Sequence, residues 1–216
     1  MLNIDIFAQA IEKKLIKNRC DLFKCINALD HLHGPSVEVG VDQGLFSLFL
    51  IKNTSVKRLF SIDCWEVYQS PDSKSNIGDI SFMNERYCEA VNRLASCGQR
   101  SCIMRMYSEE ASPMFKDDSL DFVFLDADHT YKSVKRDLEL WYPKVKSKKY
   151  FIGHDYCQGT TQYGETFGVI EAVNEFCKLM KLRCVVTPLP DGYNLDQEES
   201  SPIKAEKLPT WMIIKP

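Results

Sequence analysis

The sequence predicts an α/β domain in which a seven-stranded, mostly parallel sheet carries helices on both faces. Three observations lead there. Strand-like and helix-like stretches alternate from residue 36 to the end of the chain, which calls for crossover connections and a sheet covered on both sides. Phe122-Val123-Phe124-Leu125 is apolar without alternation, the pattern of a strand buried on both faces. Finally, Val37-Glu38-Val39-Gly40-Val41-Asp42-Gln43-Gly44-Leu45-Phe46-Ser47 reads as a buried strand, a glycine turn and the start of a helix.

The elements follow in order. Over residues 4–29, Ile11, Leu15, Leu22, Ile26 and Leu29 recur at three- and four-residue steps, with one skipped turn at Asn18; this is helical spacing. Residues 1–34 therefore form an N-terminal helical extension, ended by His33-Gly34-Pro35. Strands are predicted at 36–40, 58–62, 101–106, 120–126, 149–154, 183–187 and 210–215, and helices at 44–53, 80–97, 108–115, 130–145 and 166–180. Two segments break the rhythm: the polar stretch 65–79, and residues 188–209, which hold four prolines and the run Asp196-Gln197-Glu198-Glu199. The second is long enough to be a loop or lid. With no internal repeat, residues 1–216 read as a single domain.

Composition narrows the function. Hydrophobic residues at 44% and charged residues at 26% are those of an ordinary globular protein. A net charge of −3 argues against a nucleic-acid partner. No apolar run reaches the ~18 residues of a membrane span, and the N-terminus, with Asp5 and Glu12 among its apolar residues, lacks a signal-peptide core. Nine cysteines, an odd number without a C-x-x-C pair, read as reduced thiols in a cytoplasmic setting.

The motifs gather at strand ends. Glycine at 40 and 44 lets the backbone approach a ligand closely, and the following helix offers N–H groups to an anionic group. Asp63 closes the next strand, where a carboxylate can accept bonds from ribose hydroxyls. Together they propose a site for a nucleoside-bearing cofactor. A G-x-G-x-x-G fingerprint would need glycine at 42 and 45, where the chain has Asp42 and Leu45; an NAD-dependent oxidoreductase is thereby disfavoured. Trp65 either walls the pocket or packs in the core. Asp128 or Thr130 caps the helix after Leu125-Asp126-Ala127-Asp128-His129, but capping does not explain Asp126 at the strand end. The next strand ends in Gly153-His154-Asp155-Tyr156, so Asp126 and Asp155 are expected to face each other across the top of the sheet, placed to share a cation or act on a hydroxyl. His31 and His33 read as loop histidines, and Lys144, Lys146, Lys148 and Lys149 as a solvated helix end.

These residues resemble class I S-adenosylmethionine-dependent methyltransferases over about residues 35–180. Glu38, Gly40, Asp42, Gly44, Phe46 and Ser47 look like the family's first motif, which holds the methionine part of the cofactor; Asp63, with Cys64 and Trp65 beside it, looks like the ribose-binding acid; Ser108-Glu109-Glu110-Ala111 looks like the adenine-side segment. The string from Ser119 through Asp126, Asp128, His129, Asp137 and Trp141 to Tyr156 is similar to the small-molecule and sugar O-methyltransferase branch that includes macrocin O-methyltransferase. Catechol O-methyltransferase is a more distant relative of the same plan. The resemblance implies a Rossmann-like sheet with its last strand antiparallel, S-adenosylmethionine as cofactor, and O-methylation of a sugar in a glycan or deoxysugar-containing product. A catechol-like small molecule is the alternative acceptor. It implies a small-molecule or glycan partner and leaves a homodimer open. Asp126, His154, Asp155 and His129 are the candidate catalytic residues, with His154 and Asp155 the leading bases. Metal-dependent relatives hold Mg or Mn on residues at two of these positions, Asp126 and Asp155, while the third ligand position carries Tyr156, a poor ligand for a hard cation. Tyr68, Tyr156, Tyr163, Trp65 and Tyr193 are the candidates to stack on a sugar face.

Overall fold

In a computed structural model, residues 3–69, 76–77, 79–159, 166–189 and 208–216 are described. The chain begins with helices α1 (Ile4–Glu12) and α2 (Arg19–Leu29), then runs β1 (Pro35–Val39), α3 (Leu45–Asn53), β2 (Arg58–Asp63), the short pair β3 (Tyr68–Gln69) and β4 (Asn76–Ile77), and α4 (Ile80–Leu94). It continues through β5 (Ser101–Arg105), α5 (Ser108–Ala111), β6 (Leu120–Leu125), α6 (Tyr131–Trp141), β7 (Val145–Gly153), α7 (Val169–Met180), β8 (Cys184–Val186) and β9 (Trp211–Ile214).

The main sheet has seven strands in the order β5-β2-β1-β6-β7-β9-β8. The β1, β2, β5, β6 and β7 pairings are parallel, and β9 runs antiparallel to both β7 and β8. The expected mostly parallel sheet with an antiparallel last strand is what forms. Successive residues of β6 explain its unbroken apolarity. Val123 and Leu125 pack with Leu138 and Trp141 of α6 and Val173 of α7 on one face. Phe122 and Phe124 pack with Phe7 of α1, Phe23 and Ile26 of α2 and Leu50 of α3 on the other.

The N-terminal extension is two helices rather than one. α1 ends at Glu12, Lys14 adopts φ +56°, and Asn18 starts α2 by accepting a hydrogen bond from the Asp21 N–H at 3.0 Å. An asparagine cap stands where the apolar spacing skips a turn. Of the lysine run only Lys144 ends a helix, the short 3-10 turn Tyr142–Lys144 that follows α6. Lys146, Lys148 and Lys149 lie in β7, and the run pairs with acids: Lys144 with Asp117, Lys146 with Asp121 and Lys149 with Asp30, each at 2.7 Å. The nine cysteines form no disulfide. Among the described residues no helix is long and apolar enough to cross a membrane. The bulk of segment 188–209, including Tyr193, lies outside the described residues, as does Tyr163.

Gly153 ends β7 where a Cβ would overlap the Trp211 indole of β9. Gly153→Ala is therefore expected to destabilise the protein by about 1–3 kcal/mol through overpacking, read as a lower urea midpoint with an unchanged slope.

Candidate functional site

The sheet changes direction between β1 and β6: the chain goes from β1 outward to β2, and β6 begins the other half. In such sheets the crevice at the carboxyl ends of the strands beside this point receives the ligand. The candidate residues converge there.

Gly40 follows β1 with φ +88°, and a Cβ on it would sit inside the carbonyl of Asp126. The Asp126 N–H donates to the Val39 carbonyl at 2.8 Å. The approach that Gly40 permits is therefore to the end of β6. Gly44, at φ +73°, is the N-cap of α3 without a side-chain cap, and a Cβ there would press on Ala90 of α4. The first turn of α3 is left with N–H groups that no capping side chain covers.

Asp63 shapes the loop between these glycines. Its Oδ2 accepts the N–H groups of Val41 and Asp42 at 2.9 and 3.0 Å, and its Oδ1 accepts that of Trp65 at 2.9 Å. Trp65 is buried; its indole N–H donates to the Asp42 carbonyl at 2.9 Å and its ring packs on Tyr87 and Val41. It resolves toward the core rather than the pocket wall. Asp42 turns outward to Arg86 at 2.6 Å, and Cys64 is half-buried. The Ser108 hydroxyl donates to Asp137 at 2.6 Å and accepts from the Trp141 indole at 2.8 Å, so it ties α5 to α6. Phe46 lies in the apolar cluster under α3.

Glu38 is buried in the middle of the sheet's edge of charges. Ser47 donates to its Oε2, and Ser61 donates to the Ser47 hydroxyl at 3.0 Å. Burial pushes its carboxyl up to about 8; the Ser47 hydroxyl and Arg19 oppose the rise, and the neighbouring Asp126 and Asp63 add to it.

The strongest concentration of ionisable groups is at the ends of β6 and β7. His154 Nδ1 lies 3.1 Å from Asp155 Oδ1 and 3.7 Å from Asp126 Oδ1, and the two acids expected to face each other are themselves in hydrogen-bond contact, so the imidazole and both carboxyl groups form one cluster. His129, in the loop before α6, places Nε2 3.2 Å from Asp155 Oδ2 and stacks on Phe167. Burial alone would raise the Asp155 carboxyl, but His154 and His129 hold it well below the usual carboxylate range. Depth separates the four: the side chains of Asp126 and His129 keep 20% and 25% exposure, while His154 and Asp155 keep 2% and 7%. Thr130 caps α6, and Asp128 accepts from the Thr130 N–H at 2.8 Å and the Ser133 hydroxyl at 2.7 Å, so both candidates serve that helix start.

Asp126, His154 and Asp155 also offer three ligand atoms within 4.8 Å of one another, a donor set that fits a divalent cation. Tyr156 stays out of it, donating its hydroxyl to Asn174 at 2.8 Å.

Arg19 was not visible as a site residue in the sequence. It is the first residue of α2, buried, with Nη1 donating to Asp126 Oδ2 at 2.7 Å and its guanidinium 4.2 Å over the Phe46 ring. Its Nε–H is buried without an acceptor.

Residues 37–156 match the family described as "Methyltransferase domain". No curated protein matches the chain by sequence. Solved structures share its fold. A putative rRNA-methylase from Clostridium thermocellum is 13% identical with a TM-score of 0.61, covering 93% of this chain and 98% of its own. An O-methyltransferase from Bacillus cereus in complex with SAH is 11% identical with a TM-score of 0.58, covering 98% and 89%. The O-methyltransferase TomG from Streptomyces achromogenes, involved in tomaymycin synthesis and solved with SAM, is 11% identical with a TM-score of 0.56, covering 96% and 87%.

A testable consequence concerns Glu38. The folded state holds its proton more tightly than the unfolded chain, whose ordinary value is 4.5. Its stabilising contribution is thus complete below about pH 4.5 and is lost as pH rises through about 8. Unfolding free energies measured from pH 5 to 9 are expected to fall toward alkaline pH, and Glu38→Gln to flatten that slope.

Proposed function

This chain belongs to the methyltransferase domain family, and from that premise we propose that it transfers a methyl group from S-adenosylmethionine to a hydroxyl of a sugar. The observation that carries the reading is the histidine–aspartate cluster at the ends of β6 and β7, beside the β1/β6 switch point and its glycine turn with an acid at the end of β2.

The residues suit that cofactor. Glu38, a buried acid whose charge is disfavoured as it stands, gains from a ligand ammonium; Asp63 at the end of β2 lies where a ribose diol would be accepted; the uncapped first turn of α3 suits a carboxylate. When bound, S-adenosylmethionine supplies an electrophilic methyl on a sulfonium sulfur. The protein's task is then alignment, which is worth roughly 7–11 kcal/mol, and removal of the acceptor's proton. His129 is placed for the second. Its Nε2 is paired with Asp155, which orients the ring and leaves Nδ1 for the hydroxyl proton. Asp126 is the more open of the two acids, and His154 lies deeper, with Nδ1 3.1 Å from Asp155 and 3.7 Å from Asp126. This order reverses the ranking that sequence position suggested. Were a divalent cation bound, Asp126, His154 and Asp155 would hold it, and it would lower the pKa of the acceptor hydroxyl.

The sugar rests on the resemblance of residues 119–156 to the sugar O-methyltransferase branch, and the O-linkage accords with the names of the Bacillus and Streptomyces neighbours. The test is methyl transfer to a panel of sugar and catechol acceptors, with calorimetric titration of S-adenosylhomocysteine. Binding near the micromolar range with turnover on a sugar hydroxyl is expected; no association with S-adenosylhomocysteine would sink the reading. His129→Ala is expected to lower kcat about 10²–10⁴-fold while cofactor affinity stays within about twofold. Unchanged kcat would remove His129 from proton transfer.

A further inference from the structure

We infer that Arg19 is the resident counter-cation of the acid cluster, held on Asp126 by the fold so that its guanidinium takes the electrostatic place of a divalent ion. The inference deepens the proposed methyl transfer and rests on that reading only for its meaning in catalysis.

Four observations carry it. Arg19 Nη1 bonds Asp126 Oδ2 at 2.7 Å with the arginine side chain only 10% exposed. Asp126 is also one of the three groups whose ligand atoms cluster within 4.8 Å. A carboxylate oxygen that accepts a charged, buried N–H is a weaker ligand, because a metal would have to displace the guanidinium or sit beside it. Asp126 is the acceptor its guanidinium bonds among the described residues, and its Nε–H is buried with no acceptor. The Phe46 ring beneath the guanidinium fixes its plane, and the Asn18 cap fixes the start of the helix that delivers it. The positive charge also reaches Glu38, whose carboxyl Arg19 pulls downward against burial. One side chain from the N-terminal helices thus offsets acids from β1 and β6. The other Asp126 oxygen lies 3.7 Å from His154 Nδ1, and the carboxyl also shares a hydrogen bond with Asp155, so Asp126 is already engaged by the protein's own groups.

The experiment is titration of Mn2+ alone into the full chain, read by calorimetry and by Mn2+ electron paramagnetic resonance, for the native protein, Arg19→Met, Arg19→Lys and Arg19→Met/Asp126→Asn. The native protein and Arg19→Lys are expected to bind no tighter than the millimolar range. Arg19→Met is expected to bind at least about tenfold tighter, and Asp126→Asn to abolish the gain. Micromolar Mn2+ binding by the native protein overturns the inference, as does a folded Arg19→Met that gains nothing. Should Arg19→Met fail to fold, the native protein decides: transfer that survives EDTA supports the inference, and transfer lost to EDTA and restored by Mn2+ overturns it. A protein that binds no S-adenosylhomocysteine would defeat the proposed methyl transfer while leaving the Mn2+ titrations to judge Arg19.

Discussion

The contact between Gly40 and the Asp126 carbonyl is the constraint on which the site depends. At φ +88° with no room for a Cβ, Gly40 lets the ends of β1 and β6 close on one another at the point where the sheet reverses its order. That closure brings Glu38 from one strand and Asp126 from the other near enough to feel each other's charge. A side chain at position 40 would push the two strand ends apart and separate the acids from the cations that offset them.

Those acids set the second condition. Carboxylates withdrawn from water are costly unless paired. Asp155 is met by two imidazoles and Asp126 by Arg19. Glu38 is met by one hydroxyl, that of Ser47, which stabilises the charge far less, and so its proton is retained to higher pH. The differing partners, not the residue type, hold the Asp155 carboxyl below its ordinary range while that of Glu38 is pushed above it.

What the sequence disclosed was governed by periodicity. β6 has no polar residue from Phe122 to Leu125, so its end at Asp126 was unmistakable; β7 ends likewise at His154-Asp155. Residues that matter because of strand-end position were therefore legible. Residues placed by tertiary contact were not. Arg19 looks like any polar residue at a helix start, and nothing local shows that α2 aims it across the sheet at a residue 107 positions away. The signal that was available, Asn18 followed by Asp21, announces a helix start and was overridden by the longer apolar rhythm. The lysines at 144, 146 and 149 misled for the same reason, since their acids Asp117, Asp121 and Asp30 come from distant segments. Glycine chemistry was legible in kind: a close approach was expected, and the protein atoms that Gly40 and Gly44 meet are the Asp126 backbone and Ala90 of α4.

Depth then assigns the proposed roles. A base that accepts a proton from an acceptor hydroxyl has to meet solvent or substrate on one side and a stabilising anion on the other. Of the two histidines only His129 has that position, half-open and stacked on Phe167, with the buried Asp155 behind it. The imidazolium formed during transfer would face a carboxylate that the fold already keeps ionised, in surroundings of low dielectric where that attraction is strongest. His154, sealed beneath, has no such outlet: its Nε2 is buried without a partner, and its Nδ1 is occupied with both acids. The same burial fixes the His154 ring against Asp155, and a base whose paired anion cannot shift keeps its own ring in register with the crevice.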